Sequence, residues 1–204
     1  MNRSLQVKPK LTQSRWRCLI GALMCVIALL LTQVVDAAET APSEYDIKAA
    51  YLVSILKFVD WPEDKTAGGS TISIGIVGKD PFGKAFHKIE GRIILGKKLV
   101  IRRYGAYREG GDFSMNHILF ISDSEQEDLG NILSTVRNTG VLTVSDTVDF
   151  TLRGGMVYLF FDAGRLGFDV NQKVMRQYGL EVHSTLLKHA RNVILDSPTR
   201  SFGN

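Results

Sequence analysis

The sequence has 204 residues, and 25 Lys and Arg against 21 Asp and Glu give it a formal net charge of +4. Five of the cations fall in residues 1–17, which contain no acid, and the apolar run 18–31 follows directly. A basic start, a short apolar run and small residues near a cut point are typical of a secretory signal peptide. We therefore predict a leader over residues 1–37, cleaved near Ala37, and export of the rest. An uncleaved membrane anchor is the alternative, but the run is shorter than the roughly 20 apolar residues that a spanning helix needs.

Loss of the predicted leader changes what the composition implies. Its five cations and Asp36 leave with it, so residues 38–204 carry 20 charges of each sign and are formally neutral. A neutral chain argues against nucleic-acid binding, which needs a basic face. Both cysteines also leave, and the scattered histidines lack the spacing of a zinc site, so we predict neither a metal nor a cofactor. The remaining length suffices for one core, and we predict a single domain.

The first predicted element of this domain is a helix over residues 43–62. Ser43 and Asp46 have the spacing of a capping box, and apolar side chains recur every three or four residues behind it. Pro62 is expected to end the helix. The wide apolar stripe predicts that one side of the helix lies on a core.

A strand and a second helix are predicted next. Residues 71–78 alternate isoleucine with small side chains, which is the pattern of a half-buried strand. In the glycine turn that follows, Asp80 can cap a helix that has Pro81 in its first position and runs to about Ile89. Such a turn between a strand and a helix binds anions in many α/β proteins. Lys79 and Asp80 are therefore candidate ligand-binding residues, and a capped helix start without a ligand is the alternative.

Residues 97–104 predict a further strand with cations at both ends. Arg102 and Arg103 at its end could hold an anion. They could equally keep other chains from pairing with an exposed sheet edge, which is a common use of edge cations.

A strand–helix–strand unit follows. The wholly apolar run 117–122 predicts a central strand, Ser124 begins a capping-box sequence for a helix, and Gly140 stands where that helix should end. Residues 141–144 predict the next strand. Such a βαβ unit places its two strands parallel in one sheet.

The C-terminal part is predicted to add a hairpin and two helices. Residues 156–161 and 166–170 flank a tight turn and should pair antiparallel. The first of these runs, MVYLFF, has no polar face, which predicts burial on both sides with its phenylalanines in a helix–sheet interface. Asn171 and Ser184 are predicted to cap the two helices. The elements together predict an α/β fold: a single domain with a mostly parallel central sheet, helices on both faces and a C-terminal hairpin.

Two loops carry the remaining candidate ligand-binding residues. Asp146 and Asp149 could form a carboxylate pair, although a solvated loop edge explains them as well. Arg153, Gly154 and Gly155 precede a strand, where glycine lets the backbone turn or approach another chain closely. Because open α/β sheets bind ligands at the carboxyl ends of their strands, these loops are expected to share one site. No nucleophile motif or catalytic triad stands out, so we predict no enzymatic activity.

Eight blocks occur in a fixed order between about residue 45 and residue 195: YLVSILKFVDWP, ISIGIVGKDPFG, GKKLVIRRY, HILFISDSE, GVLTVSDTVDF, GGMVYLFF, RLGFDVN and STLLKHA. This order, behind a predicted leader, resembles the YfiR-like family of exported bacterial regulators. The resemblance implies a periplasmic α/β domain without catalytic activity that can form homodimers. Well-known members carry disulfides, and the predicted mature chain has no cysteine to form one.

The resemblance also implies partners. One well-known member binds the periplasmic sensor region of an inner-membrane diguanylate cyclase and holds it inactive, and an OmpA-like outer-membrane lipoprotein can sequester that regulator. We therefore predict a periplasmic repressor of such a cyclase, which lowers cyclic di-GMP and biofilm formation. A periplasmic small-ligand-binding module of a signalling system is the alternative. An exposed apolar patch would favour the repressor, and a deep pocket at the strand ends would favour the ligand-binding module.

Overall fold

The computed structural model describes residues 42–66 and 69–195, all within one compact unit that spans Pro42–Asn204. The helices are α1 (Glu44–Ile55), α2 (Glu63–Thr66), α3 (Leu129–Thr135), α4 (Gln172–Gln177) and α5 (Ser184–Leu187). The strands are β1 (Val59–Asp60), β2 (Thr71–Val77), β3 (Ile93–Ile94), β4 (Lys97–Gly105), β5 (Ile118–Ile121), β6 (Leu142–Ser145), β7 (Val157–Asp162), β8 (Arg165–Asn171), β9 (Glu181–Val182) and β10 (Asn192–Ile194). None of the helices in these ranges is long and apolar enough to cross a membrane. The predicted leader lies outside the described residues, so its cleavage stays a prediction.

Eight strands form the main sheet, in the order β10-β8-β7-β6-β5-β2-β4-β3. Strands β2, β4, β5, β6 and β7 are parallel, and their order across the sheet is 2-1-3-4-5 when they are numbered along the chain. This is one of the two common orders of doubly wound α/β sheets. The predicted parallel sheet is therefore confirmed. The predicted hairpin is confirmed in the antiparallel pair β7–β8, but β10 lies beyond it and forms that edge of the sheet.

Both faces of the sheet are covered, because alternate residues of a strand point to opposite sides. On the face that we call the α1 face, Leu52 and Ile55 pack against strand residues such as Ile74. On the opposite face, the α3 face, Leu129 and Ile132 pack against the neighbouring positions of β5. Helices on both faces were predicted, and this too is confirmed.

The first helix is shorter than predicted. The Ser43–Asp46 capping box is present, but α1 ends at Ile55 rather than at Pro62. The chain then turns into β1, which pairs with β9 in a separate two-stranded sheet. The helical spacing of apolar residues continues beyond Ile55, so the sequence predicted a longer helix. Local spacing cannot reveal that residues 59–60 pair with residues 181–182 instead.

The predicted helix over residues 81–89 is wrong, since these residues form a series of turns. The carboxylate of Asp80 accepts a hydrogen bond from the Phe82 N–H at 2.8 Å, as a cap would. Gly83 then adopts a φ of +51°, which a right-handed helix cannot accommodate. The turns still deliver Phe82 and Phe86 to the core of the α1 face.

Of the later caps, Asn171 is confirmed, because its side chain accepts from the Val174 N–H at 3.0 Å at the start of α4. The other two are wrong. Ser124 makes no capping contact, and α3 begins only at Leu129 after an uncapped 3₁₀ turn. Ser184 is the first residue of α5 rather than its cap.

The MVYLFF run is not buried on both faces. Leu159 is fully buried in the α1-face core, but Tyr158, Phe160 and Phe161 are only half-buried. The Phe160 ring is covered by the guanidinium of Arg191, whose carbon lies 3.7 Å from the ring centre. The prediction that a phenylalanine of this strand points into a helix–sheet interface is therefore wrong, since β7 lies near the edge of the sheet and an arginine covers it.

Candidate functional site

The doubly wound order places a crevice at the carboxyl ends of β2 and β5. The connection that leaves β2 packs its phenylalanines on the α1 face, whereas the connection that leaves β5 packs α3 on the other face. Chains that diverge in this way open a crevice, and it is where open α/β sheets usually bind ligands. The candidate residues Lys79 and Asp80 lie in the loop after β2, at this crevice.

Side chains of the protein itself close the crevice. The backbone N–H of Lys79 donates to the Ser124 hydroxyl at 2.9 Å. That hydroxyl donates to the Glu125 carboxylate, which also accepts from the Tyr107 N–H at 2.9 Å. Glu125 is only 8% exposed. The Asp80 carboxylate accepts from the Arg103 guanidinium at 2.7 Å. A carboxylate and an ion pair of the chain itself thus lie where a ligand anion would bind.

Asp146 lies two strands away along the same edge, directly after β6. Its carboxylate accepts from the Lys48 ammonium at 2.7 Å and from the Tyr45 hydroxyl at 3.0 Å. The same ammonium lies 2.6 Å from Glu44, and the Lys48 side chain is only 3% exposed. These four residues, which we call the Lys48 cluster, fix the first turns of α1 over the carboxyl ends of the strands.

Electrostatics support a charged pair at the centre of this cluster. Burial opposes the charge on Lys48, but its hydrogen bonds to Asp146 and Glu44 outweigh burial and raise its pKa above the ordinary value. Burial and the neighbouring Asp146 carboxylate likewise raise the pKa of Tyr45. Sequence reasoning missed Lys48. The available signal was its position four residues after Glu44 within an apolar stripe, a spacing that favours an ion pair.

The other candidate residues are not brought to this edge. Arg153, Gly154 and Gly155 precede β7, which runs parallel to β6, so the glycines lie towards the amino ends of the strands. Arg153 donates to the Gln126 carbonyl at 2.9 Å and, with Gly154, lines a cavity of about 120 Å³. A Cβ atom at position 155 would overlap the ring of Phe150, which is fully buried. Gly155 is thus required by packing.

Asp146 and Asp149 do not form a carboxylate pair, since Asp149 is exposed and lines a separate cavity of about 420 Å³ beside the hairpin. Its floor holds Asp169, which accepts from the Arg191 guanidinium at 3.0 Å. On its rim, Val148 is 67% and Leu152 is 74% exposed. We call this cavity, together with that apolar rim, the hairpin groove.

Within the described ranges, no three His, Cys, Asp or Glu residues come together as a metal site. Among solved structures, the chain is similar to a conserved domain protein from Vibrio cholerae O1 biovar eltor str. N16961, with a TM-score of 0.51 and 12% identity. The similarity covers 74% of this chain and 60% of that one, which is less than two thirds of its length. At this identity it concerns the fold alone. None of the curated proteins matches the sequence.

A family model described as YfiR/HmsC-like matches residues 45–191, which is most of the chain. Members of this family are regulatory proteins of periplasmic signalling. This chain therefore belongs to the YfiR/HmsC-like family.

Proposed function

We propose that this protein is a periplasmic repressor of a membrane-bound diguanylate cyclase, which it restrains by binding the periplasmic sensor region of that enzyme. The observation that carries the proposal is the YfiR/HmsC-like match over residues 45–191. The closed crevice at the carboxyl ends of β2 and β5 supports it, because it leaves the usual ligand site of this fold filled by internal polar groups.

The mechanism is a population shift. A regulator that binds the inactive conformation of the sensor better than the active one lowers the active fraction by its differential affinity. A tenfold preference corresponds to about 1.4 kcal/mol, which a modest apolar contact can supply. Cyclic di-GMP and biofilm formation then fall without any chemistry at the regulator.

The hairpin groove is the contact surface that fits this role. Val148 and Leu152 are large, highly exposed apolar side chains on the rim of one cavity. Large contiguous apolar patches on the surface of a monomeric protein usually mark a site that binds a partner. The sensor segment expected here carries an apolar side chain that enters the groove.

Deletion of the gene tests the function directly. We expect deletion to raise cyclic di-GMP and an export-competent copy to restore the original level. A copy without residues 1–37 should remain in the cytoplasm and fail to restore it, and intact-mass measurement of the exported protein should place the cut near Ala37. If cyclic di-GMP does not change and no cyclase co-purifies, a ligand-binding module becomes the better reading.

A matched pair of variants tests the surface. Leu152→Asp should weaken binding to the isolated sensor region about tenfold or more, the cost of one modest apolar contact. Ile93→Asp is the control, because Ile93 is 67% exposed but lies on β3 at the opposite edge of the sheet. Equal affinities for the two variants would exclude the groove as the interface.

Sequestration by an OmpA-like outer-membrane lipoprotein and formation of a homodimer belong to the same proposal. The lipoprotein should compete with the sensor region for this protein and so release the cyclase. Light scattering of the purified protein, alone and with the sensor region, tests whether the repressing species is a dimer.

A further inference from the structure

The tight turn between β3 and β4 carries a leucine where the backbone disfavours one. Leu95 and Gly96 have φ values of +51° and +75°, and they join two antiparallel strands. Asparagine or glycine is the usual first residue of such a turn, because the position needs a left-handed backbone. A leucine there costs conformational energy, and its side chain is nevertheless 57% exposed. Packing within the described part of the chain therefore does not explain Leu95.

A second exposed apolar side chain lies beside this turn. Ile93 is 67% exposed on β3, which forms one edge of the main sheet. Ile94, between the two exposed residues, packs instead on the core of the α1 face. We call residues 91–98 the edge hairpin. It presents an isoleucine and a leucine to solvent at the outer edge of the sheet.

Two cations flank these apolar side chains. Lys98 lies opposite Ile93 across the strand pair, so their side chains share one face of the hairpin. The Cε atom of Lys98 lies 3.7 Å from the place that a Cβ atom at Gly91 would occupy, so the lysine stem runs along β3. Arg92 and Lys98 are both exposed, and neither forms an ion pair within the described part of the chain. Since residues 91–98 contain no acid, the edge hairpin is both apolar and cationic.

Protection of the sheet edge explains only part of this pattern. Cations at an edge keep other chains from pairing with it, but an exposed isoleucine and leucine have the opposite effect. Glu90 precedes the hairpin, and its carboxylate accepts from the Ile101 N–H at 3.3 Å. Exposed apolar side chains next to cations are instead typical of segments that bind an anionic membrane surface.

We propose that the edge hairpin docks this protein on an anionic phospholipid surface. Ile93 and Leu95 enter the boundary between the headgroups and the acyl chains, and Arg92 and Lys98 lie among the phosphate groups. Lysine suits this position, because its stem can stay in the apolar layer while the ammonium reaches the headgroups. Two apolar side chains and two cations give weak, reversible binding, far from the strength of a membrane-spanning anchor.

The docking deepens the proposed function, on which it rests for its purpose, since the sensor region of an inner-membrane cyclase is presented at such a surface. The hairpin groove is lined by β10 at one edge of the sheet, and the edge hairpin lies at the other. Both surfaces can therefore be engaged at once. A weak membrane contact then raises the local concentration of the regulator at the sensor region, as a linked second binding site does.

Co-sedimentation with vesicles tests the docking without any cyclase. The purified protein is mixed with vesicles of phosphatidylglycerol and phosphatidylcholine in equal parts, or of phosphatidylcholine alone. We expect binding to the anionic vesicles, weakened by added salt, and at least about tenfold weaker binding to the neutral ones. Equal binding to both kinds of vesicle, or no binding to either, would overturn the proposal.

Leu95→Asn separates docking from folding. Asparagine is favoured at this turn position, so thermal unfolding should occur at an unchanged or higher temperature. Binding to the anionic vesicles should nevertheless weaken about tenfold, because burial of one leucine side chain contributes at least this factor. An unchanged vesicle affinity in the folded variant would overturn the proposal.

Two lysines provide a matched comparison for charge. Lys98→Gln should weaken binding to the anionic vesicles about fivefold, the contribution of one cation near such a surface. Lys79→Gln removes the same charge from an exposed side chain in the loop after β2, at the carboxyl end of that strand, and should leave binding nearly unchanged. Equal weakening in both variants would show only long-range attraction and would overturn the edge hairpin as the docking site.

The groove variant completes the comparison. Leu152→Asp should keep its binding to anionic vesicles and lose affinity for the isolated sensor region, whereas Leu95→Asn should do the reverse. Failure of docking alone leaves binding to the sensor region intact, so it is distinguishable from failure of the proposed function. Loss of sensor binding in Leu95→Asn would make the hairpin a protein contact, and a dimer that this variant dissociates in light scattering would assign it to a second copy. Either result would overturn the proposal.

Discussion

The cationic side chains at the two ends of the parallel strands have different kinds of partner. At the carboxyl end, Lys48 pairs with Asp146 and Arg103 pairs with Asp80, so both of these cations have a carboxylate partner in the same chain. At the amino end, Arg102 instead donates to a backbone carbonyl and lines an open pocket. Lys48 and Arg103 are thus paired with acids of the chain itself, whereas Arg102 has no ion pair among the residues that the structure describes.

This difference shows why a general rule of the fold does not identify the site here. Open α/β sheets usually bind ligands at the carboxyl ends of their strands. In this protein, the first turns of α1 lie over that end and the Lys48 cluster fixes them there. The hairpin groove is a surface that remains open to a partner.

Breaking the closed end should have the largest effect. Asp146→Asn removes the acid from a nearly buried ion pair, and we expect the free energy of unfolding to fall by about 3 kcal/mol. This value is the lower end of the usual cost of leaving a buried charge unpaired, because Glu44 remains close to Lys48. Urea denaturation at pH 7 measures it. The double variant Lys48→Met, Asp146→Leu should recover part of the loss, and a loss under about 1 kcal/mol in the single variant would mean that the cluster is not needed.

Gly155 offers a test of whether the glycine pair near the amino end serves packing or a ligand. Gly155→Ala should destabilise the protein by about 2 kcal/mol, because the added methyl overlaps the buried Phe150 ring. Thermal unfolding monitored by circular dichroism gives the change. Gly130→Ala is the control, since open space surrounds position 130. Equal stability of the Gly155→Ala and wild-type proteins would contradict the packing role.

The amino end should also confer a pH dependence through His117. The pKa of His117 falls from 6.5 to about 4 in the folded protein. Between these pH values the imidazole is protonated in the unfolded chain and neutral in the folded protein. The contribution of the neutral imidazole to the free energy of unfolding is fully present above pH 6.5. It is lost as the pH falls towards 4, by up to about 1.4 kcal/mol per pH unit.

Urea denaturation between pH 7 and pH 4.5 measures this slope. His117→Asn keeps an acceptor for the Ser73 N–H and should flatten the curve by the contribution of one proton, whereas His87→Gln, at an exposed position, should not. An unaltered slope in the His117→Asn variant would assign the pH dependence to other groups.

The smallest effect is expected at the partly exposed ion pair of the closed end. Arg103→Gln should cost less than about 1 kcal/mol, because solvent screens the pair with Asp80. Chemical denaturation measures the change, and added salt should reduce it further. A loss of several kcal/mol would show that Arg103 supports the crevice structurally.

Sequence patterns predicted the elements whose signal is local. Alternation predicted β2, the capping box predicted the start of α1, and the order of strands and helices predicted the mostly parallel sheet with its hairpin. The family assignment likewise followed from the order of apolar blocks. Each of these depends on spacing along the chain, which the sequence contains directly.

Contacts between distant residues decided the rest. The two-residue strands β1 and β9 exist because they pair with each other, and β10 because it finds the open edge of β8. Lys48 is charged and buried because Asp146, 98 residues later, lies opposite it. The sequence by itself determined the fold class and the family of this protein. The closure of one end of the sheet depends on where folding places charges that are far apart along the chain, and only the tertiary structure decided it.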